Sequence, residues 1–326
     1  MRIGVIGAGW IAADHVGRIG RTVGVELAAV CDLDEERART LAGERPVYTD
    51  WRAMLERESP DAVLIATPPL THRELAVEVL GRGIHVYLEK PIARGLEDAR
   101  AIVDAAERSP AVCAVGYQWR AVEALGALRE ALAGQQIGLV IGIGTGPTQS
   151  RPWFLDRAQG GGNVLERASH IIDIERTVGG EVVEVQAAAS RVPLAQSAAG
   201  DRGDIEDAAA LVLRFAAGGV GAVQIAWTRD ELPASYSLDV LGSDSSLHLE
   251  LDPAFTLSGR SSGARVEVPM RGHPMDRTLE RFVAAAGAGE KSAVFCTPAD
   301  AAGTLAVAVA CEAAIAGGAM VAVPTW

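Results

Sequence analysis

Three residues in GGNVLERASHIID, residues 161–173, could do acid–base chemistry together. Glu166, His170 and Asp173 stand at i, i+4 and i+7. On an α-helix this spacing places them on roughly one face. A carboxylate beside an imidazole stabilises the imidazolium, so the spacing predicts a raised His170 pKa. A histidine titrating near neutrality suits proton transfer. The same stripe also serves a purely structural helix over 163–178. Asn163 would then be its cap and Glu166 a favourable first-turn charge. The stretch alone does not choose between these readings.

Lys90 stands out by rarity. The chain has two lysines, Lys90 and Lys291, against 28 arginines. Arginine stays protonated, whereas a lysine amine can be tuned and can give up a proton. Lys90 lies in LEKPIA, at the carboxyl end of the apolar run IHVYLE. Ligands of open α/β sheets bind at that edge. ATPPLTH, residues 66–72, ends the preceding run and would line the same crevice. Lys90 could equally be a surface amine snorkelling beside Pro91.

The elements that must position these groups fall into two rhythms. Up to about residue 120, the apolar runs RIGVI, VELAAVC, DAVLIAT, IHVYLE and AVCAVGY alternate with amphipathic stretches such as DEERARTLAG and GLEDARAIVDAAERS. Continuous apolar strands separated by helices predict a parallel sheet covered on both faces. GAGWIA, residues 7–12, follows the first strand and opens a helix. Gly7 permits the tight turn, Gly9 the approach of a pyrophosphate, and Ala12 close packing of helix on strand. Trp10 and Ile11 complete the turn. The helix N-terminus offers N–H groups and a positive dipole end to phosphates. Asp32 ends the second strand, 20 residues past Ala12, where it can accept from adenosine ribose hydroxyls. Leu33 and Asp34 offer no arginine for a 2′-phosphate, so NAD is favoured over NADP. Asp32 could instead cap the helix that starts near Asp34.

After residue 136 the apolar runs EVVEVQAAAS, EDAAALVLRFA, GVGAVQIAWT, SYSLDVLG and SLHLELD recur with only turns between them. They predict a mostly antiparallel sheet, with AAGGVG at 216–221 as a hairpin. One helix precedes this sheet, and two follow at about 274–288 and 298–317. The apolar stretch 304–323 reads as a buried C-terminal helix and a short strand, because Glu312, Gly317 and Gly318 interrupt it. Residues 195–204 and 258–265 read as exposed loops. The expected organisation is α/β: a dinucleotide-binding domain over 1–120 and a substrate-binding and oligomerisation domain over 121–326.

Composition narrows the partners. The chain has 326 residues, 49% of them hydrophobic, and a net charge of −12. No basic stripe offers itself to nucleic acid or to an anionic membrane. Cys31, Cys113, Cys296 and Cys311 show no paired spacing. They read as reduced core residues of a cytoplasmic protein, with no metal site.

GAGWIA, Asp32, ATPPLTH, LEKP, GYQWR and GGNVLERASHIID, in that order, resemble the Gfo/Idh/MocA oxidoreductases, the relatives of glucose–fructose oxidoreductase and inositol dehydrogenase. The resemblance covers essentially the whole chain. It implies a Rossmann domain, then an α/β domain whose open sheet commonly forms oligomer interfaces, giving a dimer or tetramer. It implies NAD(P)-dependent oxidation of a sugar or polyol hydroxyl, or reduction of the matching carbonyl. Lys90 matches the family's lysine beside the nicotinamide, and His170 its acid–base histidine. Thr67, Pro68, His72, Glu89 and Gln118 fall where the family lines the cofactor cleft. The chain departs from the usual GGGxLxDxGxH run. Glu166 replaces the aspartate four residues before the histidine, and Asn163 and Ala168 also differ.

Under this resemblance Lys90 hydrogen-bonds the reacting oxygen, His170 carries its proton, and Glu166 tunes His170. Arg120, Trp153 and Asp173 are the expected substrate contacts, with Arg151 and Arg157 as further candidates. Aromatic faces suit the C–H faces of sugars, and arginines suit hydroxyls or a carboxylate. Trp119 fits either a site lining or domain packing. Two rival readings remain: a non-catalytic NAD-binding sensor on the same fold, and an NAD-dependent glycoside-cleaving enzyme.

Overall fold

The structure is a computed structural model that describes residues 1–147, 151–192, 205–228 and 232–325. The loop expected at 195–204 lies outside the described residues. The chain forms two compact units, Met1–Tyr117 with Met275–Ala302, and Gln118–Pro274 with Gly303–Trp326.

The first unit holds six strands: β1 (Arg2–Ile6), β2 (Glu26–Cys31), β3 (Val47–Tyr48), β4 (Ala62–Ile65), β5 (His85–Leu88) and β6 (Cys113–Val115). All pair in parallel, in the order β3-β2-β1-β4-β5-β6. This is the doubly wound order of a Rossmann sheet. Every residue of β4 is buried, so the strand reads as a continuous apolar run with no alternation. The connecting helices are α1 (Trp10–Ile19), α2 (Glu35–Ala42), α3 (Trp51–Glu58), α4 (His72–Gly81) and α5 (Leu96–Arg108). One core joins Val5, Leu64 and Tyr87 of the sheet to Leu279 and Phe282.

The second unit opens with α6 (Glu123–Ala131) and the long strand β7 (Ile137–Pro147), then the short helices α7 (Pro152–Leu155) and α8 (Arg157–Gly160). A π-helical turn, Val164–Ala168, runs into α9 (Ser169–Gly179). Strands β8 (Val182–Ser190), β9 (Ala208–Phe215), β10 (Val220–Thr228), β11 (Ser235–Gly242), β12 (Ser245–Asp252), β13 (Leu257–Ser261) and β14 (Ala264–Val268) follow. Helix α10 (Pro274–Ala288), which belongs to the first unit from Met275 on, then α11 (Pro298–Gly317) and the strand β15 (Val321–Ala322) complete the chain. The sheet order is β14-β13-β12-β11-β7-β10-β9-β8-β15. It is antiparallel except where β10 runs parallel to β7.

The 216–221 hairpin forms as expected, with Phe215 N–H donating to Gly219 O at 2.9 Å. The stretch 258–265 is not a loop. It pairs as β13 and β14 around a two-residue turn, with Ser262 at φ 47° and Gly263 at φ 75°. Positive φ at both central residues matches the right-handed strand twist, which overrides the loop-like composition. The C-terminal helix packs as expected, burying Leu305, Ala306, Cys311 and Ala314, and β15 follows it.

A row of glycines on β7 sets how closely the π turn and α9 approach the sheet. A Cβ on Gly142 would overlap Ile171, and one on Gly144 would lie 2.9 Å from Ile171 Cδ1. A Cβ on Gly146 would lie 2.8 Å from Arg167 Nη1. Residues of one face recur at every second position in a strand. The three glycines therefore form one groove, and the helix carrying His170 lies in it.

Candidate active site

The first unit builds a dinucleotide cradle at the carboxyl end of β1. Gly7 has φ 98°, and a Cβ there would meet Ala66 O at 2.5 Å. Its N–H donates to Cys31 O at 2.8 Å, closing the turn against β2. A Cβ on Gly9 would meet nothing within 4 Å. Gly9 precedes α1, whose N-terminus carries no side-chain cap. Open space before uncapped N–H groups fits a pyrophosphate. Ala12 is fully buried against the sheet, Ile11 is half-buried, and Trp10 is exposed. The residues present therefore fit NAD(P).

Asp32 sits beside this turn. Its Oδ2 accepts from Ala8 N–H at 2.7 Å, and its Oδ1 accepts from Asp34 N–H at 2.9 Å. Asp34, not Asp32, caps α2, accepting from Glu36 and Arg37 N–H. One residue escaped the sequence reading. The first turn of α2 brings Arg37 back toward Asp32, with Nη2 3.4 Å from Oδ1. Its Nε lies 2.9 Å from Asp34 Oδ2. Its place five residues after Asp32, in the first turn of the next helix, is the signal the sequence carries for it.

The loops after β4 and β5 are tied together by His72. Its Nε2 lies 2.9 Å from Thr67 O and its Nδ1 3.0 Å from Pro91 O. The ring is fully buried, and burial pushes its pKa down. His72 thus braces the loop bearing Thr67 and Pro68 against the one bearing Lys90. Thr67 Oγ1 accepts from Thr71 Oγ1 at 2.8 Å. Glu89 is also buried, and its Oε2 accepts from Lys90 N–H at 3.2 Å. Lys90 itself is half-buried.

The second unit gathers another set of residues. Gln118 starts a short 3-10 turn, Gln118–Ala121, that also carries Trp119 and Arg120. Arg120 Nε donates to Asp173 Oδ2 and Nη2 to Oδ1, each at 2.8 Å. Thr304 adds a third bond to Oδ1 at 2.8 Å. Asp173 is fully buried. Two expected substrate contacts therefore hold each other. Arg157 pairs with Glu206 and Glu312.

Trp119, buried at 4% exposure, is wedged between two other rings. Its centroid lies 4.8 Å from that of His170 and 4.7 Å from that of Tyr236. His170 keeps part of its surface in solvent. Burial pushes the Tyr236 hydroxyl up to about 12. Arg167 lies over the Trp227 ring at 4.2 Å. Trp153 packs edge-on against Phe154 at 5.6 Å and is half-exposed.

The expected helix over 163–178 forms as one continuous helical run, with a π turn over Val164–Ala168 inside it. Glu166 stands in the π turn and His170 in the first turn of α9. π turns close i→i+5 rings and often occur at functional sites. Asn163 does not cap this element with its side chain. Buried Glu206 does so from 42 residues away, its Oε1 accepting from Val164 N–H at 2.7 Å. Nothing local in the sequence marked that role. Glu166 faces Arg151 electrostatically, opposing the downward push of burial on the Arg151 guanidinium.

Residues 1–117 match the family model described as "Oxidoreductase family, NAD-binding Rossmann fold", and residues 127–248 match the GFO/IDH/MocA C-terminal domain. The chain belongs to the GFO/IDH/MocA oxidoreductase family. It is similar to a myo-inositol 2-dehydrogenase of Thermotoga maritima, with 30% identity over 68% of this chain and 67% of that protein. A D-apiose dehydrogenase of Paraburkholderia graminis is 32% identical over 78% of this chain and 69% of that protein. In three dimensions, a levoglucosan dehydrogenase solved with NADH and L-sorbose aligns at a TM-score of 0.85 and 20% identity. That alignment covers 100% of this chain and 99% of that one, and it bears on fold alone.

Proposed function

We propose that this NAD(P)-dependent oxidoreductase is a sugar or polyol dehydrogenase that prefers NAD. The observation that carries the reading is Lys90, placed at the carboxyl edge of the sheet whose first strand ends in the glycine turn. Ligands of doubly wound sheets collect at that edge. The names of the two dehydrogenase relatives support a small polyhydroxylated substrate.

The bound nicotinamide supplies hydride acceptance in oxidation and hydride donation in reduction. His170 takes the hydroxyl proton in oxidation and returns it in reduction. Lys90 donates a hydrogen bond to the same substrate oxygen and stabilises its developing negative charge. Glu166, placed in the π turn before His170, tunes the imidazole. Trp153 offers a half-exposed ring face to sugar C–H groups, with Arg151 nearby in sequence. Arg120 and Asp173 position the 3-10 turn against α9 and leave substrate contact to others.

Asp32 supports NAD through the ribose diol. A 2′-phosphate beside Arg37 would meet two carboxylates, Asp32 and Asp34, against one guanidinium. Homo-oligomerisation is supported by the outward sheet face, where Ile143, Val212 and Leu241 are exposed in the single chain. The four cysteines are buried and free of disulfides, which suits a reducing cytoplasm.

The test is a screen of polyols, aldoses and sugar acids, followed at the absorbance of reduced nicotinamide with both cofactors. Net NADH formation with a polyol or aldose supports the proposal. Glycoside release without net NADH would favour bond cleavage instead. NAD binding with no turnover on any compound would favour a sensor.

A further inference from the structure

A buried cation in the second unit has no part in that reading. Arg167, in the π turn Val164–Ala168, is only 4% exposed. Among the described residues no carboxylate pairs with it, and its Nε and Nη1 have no hydrogen-bond partner. Nη2 donates to Pro147 O at 3.2 Å. The guanidinium lies 4.2 Å from the centre of the Trp227 ring and 5.5 Å from that of Tyr236. Burying a cation without an anion is costly, and ring faces offset only part of that cost. A well-packed apolar side chain could fill the same space without it.

The same tryptophan holds the turn at its start. Trp227 Nε1 donates to Glu206 O at 3.1 Å, and Glu206 Oε1 accepts from Val164 N–H at 2.7 Å. Glu206 thus grips the first residue of the turn and Arg167 is its fourth, and both meet Trp227 on β10. A π turn closes i→i+5 rings in place of i→i+4 and is rare, so its surroundings must hold it. Each α-helical residue advances about 100° round the axis, so collapse of the turn to α-helix would swing the residues before α9 by roughly that angle. Across residues 161–170 only Glu166 and His170 are half-buried, and every other residue is buried. His170 has a hold of its own in Trp119, 4.8 Å away between ring centroids.

We propose that Arg167 is a positioning residue for the Glu166–His170 pair. It fastens the π turn to three neighbouring strands, through Pro147 on β7, Trp227 on β10 and Tyr236 on β11. The pinned turn keeps Glu166 on the open side with His170. Without the guanidinium the turn relaxes toward α-helix, Glu166 swings off that side, and the imidazole loses its tuner.

Arg167 has this role only if Glu166 and His170 serve the reaction. The test compares wild type, Arg167→Met, Glu166→Gln and the double variant. Each is measured for kcat, with NAD and a compound the wild type oxidises, and for stability in urea. Methionine fills the space without the charge or the planar fork, so stability should be unchanged or raised. Arg167→Met should nevertheless lower kcat about tenfold or more. In the Glu166→Gln background the same change should lower kcat less than about threefold, because the carboxylate it positions is already gone. A purely structural arginine gives the reverse: lost stability, and the same factor in both backgrounds. If Arg167→Met does not fold, Arg167→Lys takes its place with the same expectation, since it keeps the charge but not the planar fork. Unchanged kcat, or equal factors in the two backgrounds, would overturn the proposal. Normal turnover of His170→Ala would instead sink the acid–base pair itself, and the role of Arg167 with it.

Discussion

Arg120 grips Asp173 at two points, Nε to Oδ2 and Nη2 to Oδ1, each at 2.8 Å. The pair locks the turn carrying Trp119 to the helix carrying His170, and the Trp119 ring lies tilted against that histidine at 43°. Removing one partner of a buried pair leaves the other charge uncompensated, at a cost of about 3–5 kcal/mol. Asp173→Asn should lower stability by that order in urea denaturation. Unchanged stability with a raised KM would return Asp173 to substrate contact.

The glycine groove makes a second prediction. Gly142→Ala forces a methyl into Ile171 and should destabilise the protein by about 1–3 kcal/mol. Ile171→Ala opens space at the same point. A double-mutant cycle should therefore show favourable coupling of about 1 kcal/mol or more. Strict additivity would mean the two residues are not in contact.

Glu175, on α9, is fully buried, and burial raises its carboxyl pKa well above the ordinary 4.5. The folded chain then holds a proton that the unfolded chain releases as pH rises past about 4.5. The stability associated with this group is complete below that pH and declines as pH rises toward the folded value. Glu175→Gln carries no ionisable proton there. Its stability advantage over wild type should grow between pH 5 and pH 7 in urea titrations. A pH-independent difference would contradict the assignment.

Cofactor choice tests Asp32. Its carboxylate accepts from the glycine turn through Ala8 and faces Arg37. Asp32→Ala would remove the charge that repels a 2′-phosphate and leave Arg37 in place. The ratio of kcat/KM for NADP over NAD should rise by about tenfold or more. An unchanged ratio would mean that Asp32 serves the turn alone.

How much of this was legible in the sequence depended on range. The strands of the parallel sheet read as continuous apolar runs because both of their faces are buried. β3 has two residues, too few to show any pattern. The turn at Gly7 and the carboxylate at Asp32 could be located because their geometry is local. The Arg120–Asp173 pair spans 53 residues and the Glu206 cap 42, and no local signal couples such positions. The π turn was likewise invisible, since VLERA reads as an ordinary helix. Gly142, Gly144 and Gly146 did carry a signal: glycine at every second position of a strand marks close approach from one side. The 258–265 hairpin was missed because serine, glycine and arginine suit loops and tight turns alike.

The most direct test of the central claim is turnover of Lys90→Met and His170→Ala, measured with NAD and a compound from the screen, alongside NAD binding. The account predicts that each variant loses about two orders of magnitude in kcat, as expected for removal of an acid–base or oxyanion group. NAD affinity should stay near that of the wild type in both. Near-normal turnover in both variants would contradict it.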